Sequence, residues 1–386
     1  MTAMPTITIK KFSRLNILLM PTNQCNMNCI YCYHSGERAK GGKMSLELLS
    51  KIYDITFNHC EEATIIWHGG EPLIMGAEFY RQALAMQKKY TRTKITNKMQ
   101  TNLTLLDDEL ASVLSENEIS VGSSFDGLQN DLLRGQSEKI LSNRKKLADF
   151  GMKSGFIFVV SKKNIDSLVE NYKFFNERKI NFTTNFYIPT RGEFNDELEL
   201  EPQHTAKKIL ELYDYWIHDK DCNISVNYFE RILDFIFLRR KTLCSFSSCL
   251  GKWLGIRHDG KIFPCNRAFP EKYSYGNVAD YENISDAFQS EGFRLILLEA
   301  IERREKCKSC EIFSFCEGGC NNVALNEKGI ANIGGTSCII LKKVFNYRES
   351  NVKTLRGQEI NLRVAKYFVA KAGKTSRRQN QSAEKF

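Results

Sequence analysis

Between residues 15 and 190 the chain alternates six short apolar runs with helical patterns, and that alternation narrows the fold more than anything else in it. The runs are Leu15 to Met20, Ala63 to Trp67, Lys94 to Gln100, Ile119 to Ser124, Gly155 to Ser161 and Phe182 to Ile188. Each has the length of a strand and is rich in β-branched or aromatic residues. Between them, Ser45 can cap a helix whose Leu46, Leu49, Ile52 and Ile55 share one face. Asp107 to Glu116, Ser137 to Phe150 and Asn164 to Lys179 repeat the theme. Strand–helix units in series predict a parallel sheet with helices outside, open or closed into a partial barrel. Right-handed crossovers put all six strand C-terminal ends on one rim, where loops of different strands converge and ligands bind.

Four polar motifs fall on that rim. Cys25-x3-Cys29-x2-Cys32 follows the first run and His68-Gly69-Gly70-Glu71-Pro72 the second. Gln100-Thr101-Asn102 ends the third and Ser124-Phe125-Asp126-Gly127 the fourth. Three thiolates this close can hold an iron–sulfur cluster but leave one ligand position short, a place where a small molecule can bind. Structural zinc is the rival account, but it takes four ligands and usually pairs its cysteines as C-x2-C. The triplet has no fourth cysteine beside it, and His34 reads as a surface group.

Eight of the thirteen cysteines crowd between 244 and 338. A chain of 386 residues with no secretion signal needs no disulfide staples, and reducing cytosol would not keep them. Metal binding is the better account, with Cys60 and Cys222 left as ordinary thiols. The basic Lys10-Lys11 start imitates a signal peptide only faintly. No apolar run reaches the length of a membrane span, so the protein reads as cytoplasmic, with no membrane partner. Half of the net charge of +10 sits in the last 21 residues. From Ala372 onward this tail has no apolar period and reads as disordered and solvated, with no nucleic acid expected. Glu193 to Glu201 reads as an acidic loop and helix start. Residues 203–240 read as two helices, and Trp253 to Phe263 as a hairpin turned at Asp259-Gly260. Cysteine-rich loops are expected from there to Cys338, then a helix from about Ile339 to Ala370.

The triplet, the aromatic residue before its third cysteine, the Gly-Gly-Glu-Pro loop and the six-unit half-barrel resemble radical S-adenosylmethionine (SAM) enzymes. The resemblance covers about residues 15–190. It implies a partial (βα)6 TIM-like barrel and a [4Fe–4S] cluster on Cys25, Cys29 and Cys32, whose fourth iron is chelated by SAM. Reduction would split SAM to give a 5′-deoxyadenosyl radical that takes hydrogen from a substrate. Gly69, Gly70 and Glu71 would hold the methionyl amino group, and Tyr31 would lie near the adenine. Ser124 and Arg134 match positions that bind the ribose and the methionyl carboxylate, and Asn102 is a further ribose candidate.

The later cysteines are similar to the SPASM iron–sulfur extension of that family, which carries two auxiliary [4Fe–4S] clusters. The family topology assigns Cys244, Cys249, Cys265 and Cys320 to the first and Cys307, Cys310, Cys316 and Cys338 to the second. Three clusters and SAM are the cofactors implied, with all auxiliary irons ligated, which favours electron transfer. The chain divides into a radical SAM barrel (1–200), a helical linker (201–243), a SPASM domain (244–345), a C-terminal helix (346–371) and the basic tail (372–386).

Enzymes of this type mostly modify peptides or proteins. Anaerobic sulfatase maturases look similar and oxidise a Cys or Ser to formylglycine, but they place a catalytic Asp just after the hairpin cysteine. Here that position is Asn266, which cannot accept a proton. The other branch crosslinks ribosomally made precursor peptides, and its compact members include those that form three-residue cyclophanes. The expectation is an oxidative carbon–carbon crosslink in a precursor peptide, with a flavodoxin or ferredoxin as reductant. A noncatalytic iron–sulfur or zinc protein is the alternative from another class.

Overall fold

The computed structural model describes residues 12–34, 41–190, 195–242, 244–246, 249–354, 364–367 and 369, with 348–354 as backbone alone. The expected basic tail 372–386, the Lys10-Lys11 start and part of the acidic run at Glu193 lie outside them. Two compact units emerge: residues 1–157 with 249–302, and residues 158–248 with 303–386.

The first unit is organised by strands β1 (Phe12–Thr22), β2 (Cys60–Gly69), β3 (Lys94–Thr101), β4 (Ser120–Ser124), β7 (Trp253–Ile256) and β8 (Ile262–Phe263). Strand β5 (Phe156–Val160) begins in this unit and ends in the second, where β6 (Phe182–Phe186) lies beside it. Hydrogen bonding follows the order β6-β5-β4-β3-β2-β1-β7-β8. The pairs β1–β2, β2–β3, β3–β4 and β4–β5 are parallel. The mixed α/β architecture with a parallel sheet is the one the sequence pattern predicts.

Central position explains the composition of β1. Leu15, Ile17 and Leu19 on one face are fully buried, and Leu18 and Met20 on the other are nearly so, the pattern of a strand covered on both faces. Ser45 caps the helix Leu46–Phe57 by accepting from Leu48 N at 3.1 Å. Asp107 caps Asp108–Glu116 by accepting from Leu110 N at 2.7 Å. Each cap meets a helix N–H that has no partner within the helix.

Three features differ from the sequence reading. The sheet gains β7, parallel to β1 with Ile17 opposite Leu254, and β7 turns at Gly260 (φ 82°) into antiparallel β8. A helix fills Gly76–Gln87; its buried face is Ala77, Tyr80, Ala83, Leu84 and Gln87, too small and polar to announce itself. The region expected to be cysteine-rich loops contains the 17-residue helix Glu291–Cys307. Leu298 and Ile301 are exposed there while Arg303 is buried, which blurs the apolar period.

In the second unit, helices Pro202–His218 and Thr336–Thr354 pack together. Phe235, Phe246 and Phe345 surround Phe315, with ring centroids 5.0, 4.4 and 4.8 Å from it. That aromatic cluster anchors the segment carrying Cys316.

Candidate cluster and cofactor site

The cysteine triplet sits in the loop that leaves β1. Its first turn is fastened to the loop after β2: Gly70 N donates to Thr22 O (3.1 Å) and Glu71 N to Gln24 O (2.7 Å). Glycine is required at 70, because a Cβ there would stand 2.0 Å from the Gln24 carbonyl oxygen. The Glu71 side chain is buried and accepts from Thr101 Oγ1 (2.6 Å), Asn102 N (2.8 Å) and Leu73 N (3.0 Å). Burial pushes its carboxyl above the ordinary carboxylate range, although these three bonds pull it down. A carboxylate offers about four acceptor positions, so roughly one is left for a further donor.

Asn102 reaches back across the same loop. Its Nδ2 donates to Asn26 Oδ1 (3.0 Å) and stands 4.0 Å from Cys25 Sγ. Ser124 Oγ, at the end of β4, accepts from Gln100 Nε2 (3.0 Å). Tyr31 OH donates to Asp126 Oδ2 and accepts from Arg134 Nη1 (2.7 Å). Asp126 is fully buried, and its N–H donates to Asn130 Oδ1 (3.0 Å). The Arg134 Nε is buried with no hydrogen-bond partner, a donor suited to an anionic ligand group. The sequence motif displayed Asp126 but gave it no role; its place between Tyr31 and the rim becomes visible only in three dimensions.

The three thiols act on one another. Burial raises the pKa of Cys29, Arg134 lowers it, and Cys32 and Cys25 raise it again. A metal cluster would supply positive charge that favours the Cys29 thiolate. A single zinc ion needs its donors converging at about 2.3 Å from one point. Among the described residues no three His, Cys, Asp or Glu side chains converge in that way. A cluster instead puts each thiolate on its own iron. The residues present therefore fit an iron–sulfur group with one open position.

The β7–β8 hairpin delivers a second cysteine pair. Tyr275 is fully buried, and after burial itself the nearby Cys249 and Cys265 thiols raise its pKa. Gly255 allows this approach, since a Cβ there would meet the Cys265 carbonyl at 2.3 Å. Asn266 Nδ2 donates to Tyr33 OH at 2.9 Å, and the Arg267 guanidinium lies 5.8 Å from the Tyr33 ring. Position 266 thus stands one residue from Cys265 and in contact with the residue after Cys32. His68 accepts from Gly69 N at 2.7 Å; burial, with Arg267 nearby, holds its imidazole down to about 4.

In the second unit Cys307, Cys310, Cys316 and Cys338 come together. Burial pushes Cys316 up to about 12, with Cys338, Cys307 and Cys310 adding to it. Cys307 and Cys338 are raised by burial first as well. Burial and the neighbouring thiols thus raise Cys307, Cys316 and Cys338, a donor set suited to cationic metal. Cys249 and Cys265 belong to the first unit, and Cys244 and Cys320 to the second. Cys60 is buried, and Cys222 Sγ donates to Ile224 O at 3.4 Å.

The model of the radical SAM superfamily matches residues 19–175, and that of the SPASM iron–sulfur cluster-binding domain matches 244–311. The chain carries a radical SAM domain followed by a SPASM domain. It is 28% identical to the cysteine-type anaerobic sulfatase-maturating enzyme of Clostridium perfringens over 360 residues, covering 86% of this chain and 96% of that protein. The structure of native anSMEcpe with bound AdoMet and the Cp18Cys peptide superposes with a TM-score of 0.78 at 27% identity, over 88% of this chain and 98% of that one. Streptococcus suis SuiB bound to precursor peptide SuiA shares the fold, with a TM-score of 0.60 at 18% identity, over 85% of this chain and 76% of that one. Among the described residues no helix of this radical SAM protein is long and apolar enough to cross a membrane.

Proposed function

We propose that this chain is a radical SAM maturase that removes two hydrogens from a ribosomally made precursor peptide and joins two of its carbons, in the manner of the cyclophane-forming enzymes. Asn266 is the observation that carries this reading. It occupies the position just after the hairpin cysteine, where formylglycine formation would use a carboxylate. It presents an amide whose nitrogen is already donating to Tyr33, and an amide cannot take up a proton at neutral pH.

Cys25, Cys29 and Cys32 would hold the SAM-binding cluster. Arg134 would meet the methionyl carboxylate with its buried Nε, and Glu71 would offer its remaining acceptor position to the methionyl ammonium, offsetting the cost of its own burial. Gly69 and Gly70 would let the backbone approach the same group. Tyr31, fixed by Asp126 and Arg134, would bound the adenine, with Ser124 and Asn102 toward the ribose. Bound there, cluster and cofactor supply hydrogen-atom abstraction; the protein orients the substrate and excludes water. The eight later cysteines would carry two fully ligated clusters that take away the electrons, with a small flavodoxin or ferredoxin supplying the initiating one.

The second reading, formylglycine formation, is favoured by one observation: the full-length similarity to sulfatase-maturating enzymes. Anaerobic incubation of the reconstituted protein with a precursor peptide encoded beside it, and separately with a cysteine-containing sulfatase peptide, separates the two. The crosslinking reading expects a precursor lighter by two hydrogens, with a new carbon–carbon bond and no hydrazide-reactive carbonyl. A carbonyl on the sulfatase peptide, enhanced by Asn266→Asp, would establish the second reading instead. If neither peptide changes and no 5′-deoxyadenosine forms, the protein is not a radical SAM catalyst.

A further inference from the structure

The four thiols of the second unit are flanked by two cations in a repeated arrangement. Arg303 precedes Cys307 by four residues on the helix Glu291–Cys307. Lys342 follows Cys338 by four on the helix Thr336–Thr354. Residues four apart share a helix face, so each cation lies beside a cysteine of the set. Arg303 is only 3% exposed, and its guanidinium is held on every side. Nε donates to Gly318 O (2.9 Å), Nη1 to Ile330 O (2.6 Å), and Nη2 to Gly319 O (3.3 Å) and Asn321 Oδ1 (2.5 Å). All four acceptors are neutral oxygens. The loop it grips touches the thiols: a Cβ on Gly319 would lie 3.6 Å from Cys316 Sγ.

The contacts agree with this placement: the Lys342 ammonium hydrogen-bonds Cys310 and has Cys338 nearby, and Arg303 lies near Cys307. Of the carboxylates nearby, Glu311 lies close to Lys342 and accepts from Asn346 Nδ2 (2.9 Å), and Glu317 is paired with Lys241 and Arg304. Glu327 is raised by burial while accepting from Ser337 N (2.9 Å) and Oγ (2.7 Å).

We propose that Arg303 and Lys342 raise the reduction potential of the cluster carried by Cys307, Cys310, Cys316 and Cys338, making it the electron-accepting auxiliary site. Each one-electron reduction adds one negative charge to the group these cations face. Net charge and hydrogen bonding around the sulfurs are the levers by which a protein sets such potentials. The proposal rests on the reading that these four cysteines hold a cluster.

The test uses the full chain with Cys25, Cys29 and Cys32 replaced by Ala, reconstituted anaerobically and titrated potentiometrically with EPR detection. Lys342 is half-exposed, so Lys342→Gln and Lys342→Glu spare the core. Lys342→Gln is expected to lower one midpoint, and Lys342→Glu to lower it about twice as far, as the charge change doubles. Lys343→Gln, the exposed neighbour with the same charge change, leaves it in place. No shift in either Lys342 variant, an equal shift from Lys343→Gln, or loss of iron and sulfide from Lys342→Gln would each overturn the proposal. Absence of iron and sulfide at the later cysteines before any lysine change would instead sink the cluster reading beneath it.

Discussion

The two cysteine groups are built by opposite means. The triplet at 25, 29 and 32 lies in one short loop, and much of what holds it comes from elsewhere: Gly70 and Glu71 from the β2 loop, Asn102 from just past β3, Asp126 and Arg134 from beyond β4. The set at 307, 310, 316 and 338 is dispersed in sequence, yet its supports sit one turn away on the same helices, at Arg303 and Lys342. A site framed by converging loops has walls that can contact a ligand at its open position. Around a site framed by its own helices, what the neighbours control is charge.

If that contrast holds, the largest effect is expected from Cys29→Ala. It should abolish reductive cleavage of SAM to background while the later cysteines keep their iron and sulfide. Cys316→Ala should do the reverse, keeping SAM cleavage but losing iron. Iron and sulfide content with 5′-deoxyadenosine production reads both, and loss of all clusters in either variant would break the division.

Gly70→Ala comes next. Its methyl group would collide with the Gln24 backbone, so the cysteine loop must move, at a cost of about 3 kcal/mol or more. Chemical denaturation should show a lowered midpoint together with a disturbed triplet cluster. An unperturbed cluster spectrum would mean the loop is not held from β2.

Tyr31→Phe removes the hydroxyl shared by Asp126 and Arg134. Leaving buried polar groups without it costs about 1–3 kcal/mol. Part of that should appear as a roughly tenfold weaker SAM affinity, equivalent to about 1.4 kcal/mol. Unchanged SAM binding would separate the triad from the cofactor.

His68 gives the smallest effect. Its folded pKa of about 4 lies below the ordinary 6.5, so protonation favours the unfolded chain. Its contribution is complete above about 6.5 and is lost as pH falls toward 4. His68→Gln should flatten the decline of stability across that window, measured by urea unfolding at successive pH values. The same slope in both proteins would assign the acid sensitivity to other groups.

The sequence displayed most of the first framework. All six runs read as strands begin or end within two residues of the observed strands, and Ser45 and Asp107 cap where their side chains suggested. Local signals suffice there, because a strand buried on both faces is a continuous apolar run. Long-range pairing left no such trace. Nothing near Trp253 says that it will lie beside Asn16, and nothing at Asn266 says that it will reach Tyr33. Asp126 was visible as part of a motif, but its partners Tyr31 and Arg134 stand on other loops. The helix Glu291–Cys307 stayed hidden because its buried face includes an arginine.

The placement of β7 has a consequence for how the chain is made. Asn16 donates to the Lys252 carbonyl across 236 residues of sequence. At about 5–20 residues per second, ribosomal synthesis of that interval takes about 12–50 s. Throughout it, the outer edge of β1 presents unpaired backbone groups, a template for wrong partners. β1, made long before β7, is thus among the last of the described strands to be enclosed, and the nascent protein depends on its surroundings to guard that edge until Trp253 arrives.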